Sequence, residues 1–245
     1  MRKVLFTFVL SMMMLTGHAQ FLTLGGTNHH ENETVDAERD EMGRLTTHLN
    51  CPDINHPHMV DLNLPSGTLW ACCNIGAHAP EEYGDYFAWG EIEVKEVYNN
   101  ETYQYYNHGN GFEDLGFDIS SVKKGGLGSG TVHHDVAHFK WNGLWHMPTE
   151  DKYKELINYC SFTWTSVNGV YGGLFTGRNG EKLFFPAAGA HWDKFLFGQG
   201  ETGSYWSSNR FYKDDALILK FNYAQADWSN YSNRCFGLPV RAVVH

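Results

Sequence analysis

The segment Met147-Pro148-Thr149-Glu150-Asp151 constrains the fold most, because it marks the point at which extended chain gives way to helix. Pro148 lacks a backbone donor and fits a turn better than a continuing strand. Thr149 is a residue type that caps helices, and Glu150 and Asp151 place negative charge at the positive end of the helix dipole. The apolar residues that follow repeat at helical spacing: Tyr153, Leu156, Ile157 and Cys160. We therefore predict one amphipathic helix directly after this turn.

Most of the remaining chain alternates short apolar runs with tight turns, which is typical of a β-rich protein. Asn168-Gly169 and Asn179-Gly180 are the strongest short hairpin signals that a sequence can carry. We predict strands at 60–64, 69–75, 183–185, 204–208, 216–221 and 240–244. The apolar run 216–221 is predicted to be central in its sheet. The run 183–185 is predicted to lie at a sheet edge or at the end of a strand, because Pro186 follows it.

The N-terminus has the pattern of a secretory signal peptide. Arg2 and Lys3 precede an apolar run, and Gly17-His18-Ala19 supplies small residues for cleavage. The run is too short to cross a bilayer comfortably, so we expect no membrane span after cleavage. The predicted organisation is a signal peptide at 1–19, a flexible polar leader at 20–58 and a folded domain at 59–245. The protein is thus expected to be exported, to the periplasm, the cell surface or the extracellular space.

Charge and cysteine content narrow the range of partners. The formal net charge is −10, and it would become −12 once Arg2 and Lys3 are removed with the signal. Such a chain is a poor partner for nucleic acid or an anionic membrane. Export permits disulfides, and the odd number of cysteines, five, leaves at least one unpaired within a monomer.

A series of motifs in a fixed order resembles one protein family. The motifs occupy 60–71, 73–77, 80–91, 141–149, 186–189, 205–208 and 234–241. They include Pro186-Ala187-Ala188-Gly189 and Tyr205-Trp206-Ser207-Ser208. Together they resemble the Fibrobacter succinogenes major paralogous domain, which is abundant among exported proteins of Bacteroides-like bacteria. The resemblance covers most of the chain from Met59 to Val244.

The resemblance implies a fold rather than an activity. That family is similar to the C-type-lectin-like fold of formylglycine-generating-type domains. The implied class is α+β, with a mixed, mainly antiparallel sheet, one or two helices and long irregular loops. The resemblance also favours a disulfide between Cys160 and Cys235, with Cys73 as the competing partner. His146 stands where family members usually carry arginine, so a structural ion pair there is expected to become sensitive to pH.

Two groups of residues are candidates for metal binding. His133, His134 and His138 form the densest cluster of metal ligands, and on a helix the last two would lie one turn apart. The His-Glu-x-x-His pattern is missing. Asp135 and His138 fall where family members often carry an acidic residue and a polar or histidine residue, so the resemblance implies a structural role for these two. Loop carboxylates suit calcium, which lectin-like folds often carry: Glu113, Asp114, Asp118, Asp214 and Asp215. No cofactor is required, and calcium is retained as an alternative.

The late part of the chain carries the best candidates for ligand binding. Flat aromatic rings stack on the apolar faces of sugars, and amides bond hydroxyls. We predict binding residues late in the chain: Tyr212, Trp228, Asn230, Tyr231 and Asn233. Of these, Trp228, Asn230 and Tyr231 are predicted to lie in a polar loop without glycine. The competing interpretation is that these aromatics belong to the core. The region after Tyr98 lacks periodicity, and long loops of this kind often carry function.

The sequence favours recognition over catalysis. No cysteine pair or Cys–His pattern marks an active site, and paired carboxylates cannot be identified from sequence alone. We predict an exported domain that binds a glycan or a protein. The alternatives are a structural or assembly module of the cell envelope and an uncharacterised enzyme on a formylglycine-generating-type fold.

Overall fold

The computed structural model describes residues 58–108, 111–112, 133–141 and 144–244. These residues form one compact unit of thirteen strands and two helices. The strands are β1 Met59–Asp61, β2 Leu69–Ala71, β3 Tyr106–Asn107, β4 Gly111–Phe112, β5 Ser161–Val167, β6 Val170–Thr176, β7 Lys182–Pro186, β8 Ala190–Trp192, β9 Phe195–Phe197, β10 Thr202–Arg210, β11 Asp215–Asn222, β12 Ala226–Asn233 and β13 Val243–Val244. The helices are α1 Val136–Trp141 and α2 Glu150–Tyr159.

The strands assemble into small antiparallel sheets. Three sheets have three strands each, in the orders β1-β2-β13, β5-β6-β7 and β10-β11-β12. Two further sheets are the hairpins β3-β4 and β8-β9. Every named strand pair is antiparallel. The predicted α+β class with a mainly antiparallel architecture and two helices is therefore confirmed for the described residues.

Both Asn-Gly pairs form hairpin turns as predicted. Asn168 and Gly169 adopt positive φ angles of 49° and 83° between β5 and β6, so the turn twist matches that of the strands. The second pair lies between β6 and β7, where Gly177 N donates to Glu181 O at 2.8 Å. The strand β7 ends at Pro186 and lies at the edge of its sheet, as its proline requires.

Helix α2 confirms the prediction for the segment after Pro148, but its cap differs. Tyr153 and Leu156 are fully buried, and Cys160 packs beside them at the end of the helix. The Thr149 side chain makes no capping hydrogen bond. Instead, the side-chain oxygen of Asn209 accepts from Glu150 N at 2.7 Å. A residue distant in sequence therefore satisfies a donor that the first turn leaves open.

Strands β10 and β11 are buried on both faces, which explains the long apolar run of β11. Successive side chains of a strand point to opposite faces. Tyr205, Leu219 and Phe221 join a core cluster beneath α2, whereas Trp206 and Ile218 join a second cluster on the other face. A third cluster of buried side chains contains Tyr98, Tyr103 and Cys235 and supports the loop after β2. The strand β11 lies between β10 and β12, so the prediction of a central strand is confirmed.

The predicted signal peptide at 1–19 and nearly all of the leader at 20–58 lie outside the described residues. So do three of the predicted calcium ligands, Glu113, Asp114 and Asp118. In the part of the chain that the structure describes, neither helix has the length and apolarity needed to cross a membrane.

Candidate functional site

An open cleft of about 450 Å³ lies where three distant parts of the chain meet. One wall is the turn that follows Tyr98, the second is the hairpin β8-β9, and the third is the chain leaving β12. The lining residues are Asn99, Asn100, Glu101, Trp192, Asn233, Cys235 and Phe236. An open concavity with aromatic and amide side chains has the composition of a ligand-binding site.

Backbone hydrogen bonds hold the three walls together. Tyr98 N donates to Asp193 O at 2.9 Å, and Asp193 N donates to Tyr98 O at 2.7 Å. The pair His191 and Gly237 exchanges two further hydrogen bonds of 2.8 and 3.0 Å. The hairpin β8-β9 is thereby joined on one side to the turn after Tyr98 and on the other to the chain after β12. The cleft is preformed by the fold rather than assembled by a single loop.

Tight local contacts also fix the turn of residues 99–102. The side-chain nitrogen of Asn99 donates to the Asp193 carboxylate at 3.1 Å, and the side-chain oxygen of Asn99 accepts from Thr102 N at 3.1 Å. Lys95 Nζ lies 2.6 Å from the carboxylate of Glu91 and donates to Thr102 O at 3.0 Å. Because both Lys95 and Glu91 are largely shielded from solvent, this ion pair is stronger than an exposed one.

Trp192 forms the aromatic rim of the cleft. Its side chain is 52% exposed, although tryptophan is usually largely buried. The centroid of its indole ring lies 6.3 Å from that of Phe236, with an angle of 33° between the rings. Phe236 is partly buried beside the core, so it anchors the exposed ring from below. An exposed, supported indole face can stack on a flat apolar surface of a ligand.

The polar lining consists of amides and one carboxylate. Asn99, Asn100 and Asn233 are the residues of the lining that carry side-chain amides, and Glu101 is the one charged residue among the lining residues. The oxygen of Asn233 accepts from Cys235 N at 3.2 Å, which orients the amide at the end of β12. Amides and carboxylates both bond hydroxyl groups, so the lining matches a polyhydroxylated ligand.

Cys235 lines the cleft, but its thiol is poorly suited to nucleophilic chemistry. Its side chain is buried, and burial raises the pKa of the thiol to about 11. A reactive cysteine needs a lowered pKa, because the thiolate is the nucleophile.

The structure divides the predicted ligand-binding residues among four settings. Asn233 lines the cleft, whereas Tyr212 and Tyr231 lie on the surface and contact Phe211. Trp228 is half-buried against the core, with Lys154 Nζ 5.1 Å from its ring centroid. Asn230 donates to the carboxylate of Asp227 at 2.7 Å.

The segment that carries Trp228, Asn230 and Tyr231 is a strand rather than the polar loop expected from the sequence. Residues 226–233 form β12, which pairs with β11 along its length. A strand sends alternate side chains to opposite faces, so Asn230 and Tyr231 cannot act on one surface. This alternation separates residues that the sequence prediction had grouped together.

The predicted histidine cluster is dispersed by the start of helix α1. Asp135 accepts from the backbone N–H groups of Ala137 and His138 at 3.0 and 3.1 Å, so the helix begins at Val136. His134 therefore precedes the helix, and its Nδ1 lies 2.8 Å from the Tyr105 hydroxyl. The expected one-turn spacing of His134 and His138 is wrong for this physical reason.

The surroundings of the predicted metal ligands are those of structural residues. The His138 ring stacks on His146 with centroids 5.2 Å apart, and His146 Nδ1 lies 3.5 Å from Asp135 Oδ2. His133 is exposed. Among the described residues, no three His, Cys, Asp or Glu side chains converge as metal ligands would.

Burial and the charge of Asp214 raise the pKa of Asp215, so neighbouring carboxylates at this position repel one another.

The predicted disulfide is not present. Cys160 and Cys235 are both free thiols. Cys160 ends helix α2 and packs against the core cluster of Tyr153, whereas Cys235 belongs to the cluster of Tyr98. The two cysteines are thus built into separate parts of the core.

Sequence reasoning missed most of the cleft. Of its lining residues, only Asn233 was predicted to bind a ligand. The turn at 99–101 falls in the aperiodic region after Tyr98, which was identified as a place for function. Trp192 gave no comparable signal, because an isolated tryptophan in a β-rich chain is usually part of the core.

No protein-family model, no curated protein and no solved structure matches the chain.

Proposed function

We propose that the protein is an exported glycan-recognition domain that binds its ligand in the cleft beside Trp192. One observation carries the proposal: a half-exposed indole ring forms the rim of a cleft whose lining includes three asparagines. The ring would stack on the apolar face of a pyranose, and the amides would bond its hydroxyl groups. An aromatic surface combined with a few polar groups is typical of sites that recognise small polar ligands.

The charge of the protein supports a neutral rather than an anionic glycan. Glu101 is the charged residue of the lining, and the chain as a whole has a formal charge of −10. An acidic sugar would be repelled both locally and by the net charge.

The proposed class is a C-type-lectin-like domain of the Fibrobacter succinogenes major paralogous type, acting in the periplasm, at the cell surface or outside the cell. The small antiparallel sheets, the two helices and the return of β13 to pair with β2 support this assignment. So does the cleft itself, since the turn after Tyr98 and the chain leaving β12 are irregular connections.

Two features of the cleft support binding rather than catalysis. The raised pKa of Cys235 disfavours thiol chemistry. Hydrolysis of a glycosidic bond normally uses two carboxyl groups facing the substrate, and Glu101 is the carboxyl group of this lining.

A second candidate function is recognition of a protein, as in an assembly module of the cell envelope. The hairpin β8-β9 exposes Phe195, Leu196 and Phe197, and Phe195 is 62% exposed. Neighbouring apolar side chains at the surface are typical of protein interfaces.

A glycan array with paired variants tests the proposal. The purified protein is screened with calcium and with chelator, alongside Trp192→Ala and the control Phe195→Ala, which changes an exposed aromatic of the same hairpin outside the cleft lining. We expect neutral glycans to bind the native protein and the control but not Trp192→Ala. Equal glycan binding by Trp192→Ala would rule out the cleft as the site. Loss of binding with chelator would instead assign a role to calcium.

A further inference from the structure

A second group of exposed aromatic rings lies near the cleft. Phe211 and Tyr212 follow β10, and Tyr231 lies on β12. The Phe211 ring stacks on Tyr231 with centroids 4.8 Å apart and an angle of 23°, and it contacts Tyr212 at 4.3 Å. Tyr212 and Tyr231 are 65% and 56% exposed. We call these three residues the aromatic platform.

The platform is attached to the chain that forms the cleft. Arg234 N donates to Asp214 O at 2.9 Å, and its Nη1 donates to Lys213 O at 2.7 Å. These bonds hold the segment after Tyr212 against Arg234. The two sequence neighbours of Arg234, Asn233 and Cys235, line the cleft. The platform and the cleft wall therefore share one rigid connection.

The register of β12 brings the platform and the cleft together. Residues 230–233 pair regularly with residues 215–218 of β11, without a bulge. Tyr231 and Asn233 therefore point to the same face of the strand. Two residues along a strand span roughly 6.6 Å, which is comparable with the length of one pyranose ring.

The composition of the platform fits a sugar chain. Phe211 supports the Tyr231 ring from one side, so the ring is held in place while most of its surface stays in solvent. A positioned tyrosine ring offers an apolar face together with a hydroxyl group, and such a ring loses little entropy on binding. The core explains neither exposed tyrosine, since both lie outside the buried clusters.

We propose that the ligand site continues from the cleft along β12 to the aromatic platform, so that the protein recognises an oligosaccharide segment rather than a single sugar. This inference rests on the proposed glycan function of the cleft. One sugar unit occupies the cleft beside Trp192, and the following units cross Asn233 and stack on Tyr231.

A length series of neutral glycans tests the extended site. The probes are β-linked glucose, mannose and xylose chains from the monosaccharide to the hexasaccharide, measured by calorimetry. The proteins are the native chain, Tyr231→Ala, Tyr231→Phe and the control Tyr223→Ala. Tyr223 is 78% exposed and lies in the turn between β11 and β12, at the opposite end of β12.

We expect the affinity of the native protein to rise with chain length by about tenfold, the change that 1.4 kcal/mol produces. Tyr231→Ala should lose this gain and keep the affinity for the shortest ligand that binds, whereas Tyr231→Phe and Tyr223→Ala should retain the gain. Equal affinity for short and long chains would overturn the extended site and leave the cleft intact. Absence of binding at every length would overturn both proposals. Equal loss at every length in Tyr231→Ala would show that the tyrosine acts on the fold, and would also overturn the extended site.

Discussion

Arg234 lies against Tyr103 in the interior, with its Nε 3.0 Å from the phenol oxygen and both side chains buried. The same phenol donates to Trp89 O at 2.7 Å. The guanidinium carbon lies 5.1 Å from the centroid of the Trp89 ring and 5.8 Å from that of Phe112. The aromatic rings and the hydrogen bonds compensate the charge that burial would otherwise disfavour.

This buried arginine connects the core with the candidate site. Its neighbours in sequence, Asn233 and Cys235, line the cleft, and its backbone and side chain hold the segment that follows the aromatic platform. Contacts in the interior therefore determine the positions of surface groups that carry the proposed function.

Tyr103→Phe should destabilise the protein by about 2–3 kcal/mol, because it removes one hydroxyl and leaves both Arg234 Nε and Trp89 O without that partner in the interior. Urea unfolding measures the loss. The control Tyr223→Phe removes a hydroxyl from an exposed ring and should change stability by less than about 0.5 kcal/mol. Equal effects of the two substitutions would show that the buried phenol contributes nothing specific.

Lys95→Met should destabilise the protein by about 1–3 kcal/mol, since it leaves the shielded Glu91 carboxylate without its cation. The variant should also bind glycans more weakly, because Lys95 holds the turn of residues 99–102 through Thr102 O. The matched control is Lys140→Met, whose partner Glu93 lies 3.4 Å away and is exposed. This control should cost less than about 1 kcal/mol and leave glycan affinity unchanged. An equal cost for both would contradict the role assigned to the Glu91 pair.

The sequence predicted those elements whose signals are local. The Asn168-Gly169 turn needs only two residues with positive φ, and helix α2 needs only its apolar spacing and its first turn. In both cases short-range chemistry agrees with the tertiary structure, so a pattern of a few residues is sufficient.

The cleft could not be predicted in the same way, because its walls come from residues that are far apart in the sequence. The hydrogen bonds between Tyr98 and Asp193 and between His191 and Gly237 have no local sequence signature. The predicted spacing of His134 and His138 was wrong for a related reason. The Asp135 carboxylate accepts hydrogen bonds from backbone N–H groups at the start of helix α1, so the helix begins after His134.

Protein stability should decrease as the pH falls through the ordinary range of histidine, and His191 should contribute to the decrease. Burial lowers the pKa of His191, and its Nδ1 is buried without a hydrogen-bond partner. The folded state therefore binds protons less readily than the unfolded state. The contribution of His191 to stability is complete above the ordinary pKa of about 6.5 and is lost as the pH falls toward the lowered pKa of the folded state.

His191→Phe tests this prediction, because it keeps a ring between Tyr86 and Tyr98 and removes the titrating group. Melting temperatures recorded between about pH 7.5 and pH 5 should fall less steeply for the variant than for the native protein. The remaining slope should include His134, whose pKa burial also lowers. Parallel slopes for the two proteins would exclude a contribution from His191.

Cys160 and Cys235 should behave as two protected thiols. Burial raises the pKa of each to about 11, so roughly one thiol in a thousand is ionised at pH 8. Both cysteines should resist alkylation in the native protein and react rapidly in denaturant, as peptide mapping by mass spectrometry would show. The single variants Cys160→Ser and Cys235→Ser provide an independent check. Because the two side chains pack in separate clusters, the two variants should be destabilised by different amounts. A peptide that links Cys160 to Cys235, together with equal destabilisation of both variants, would instead establish the disulfide.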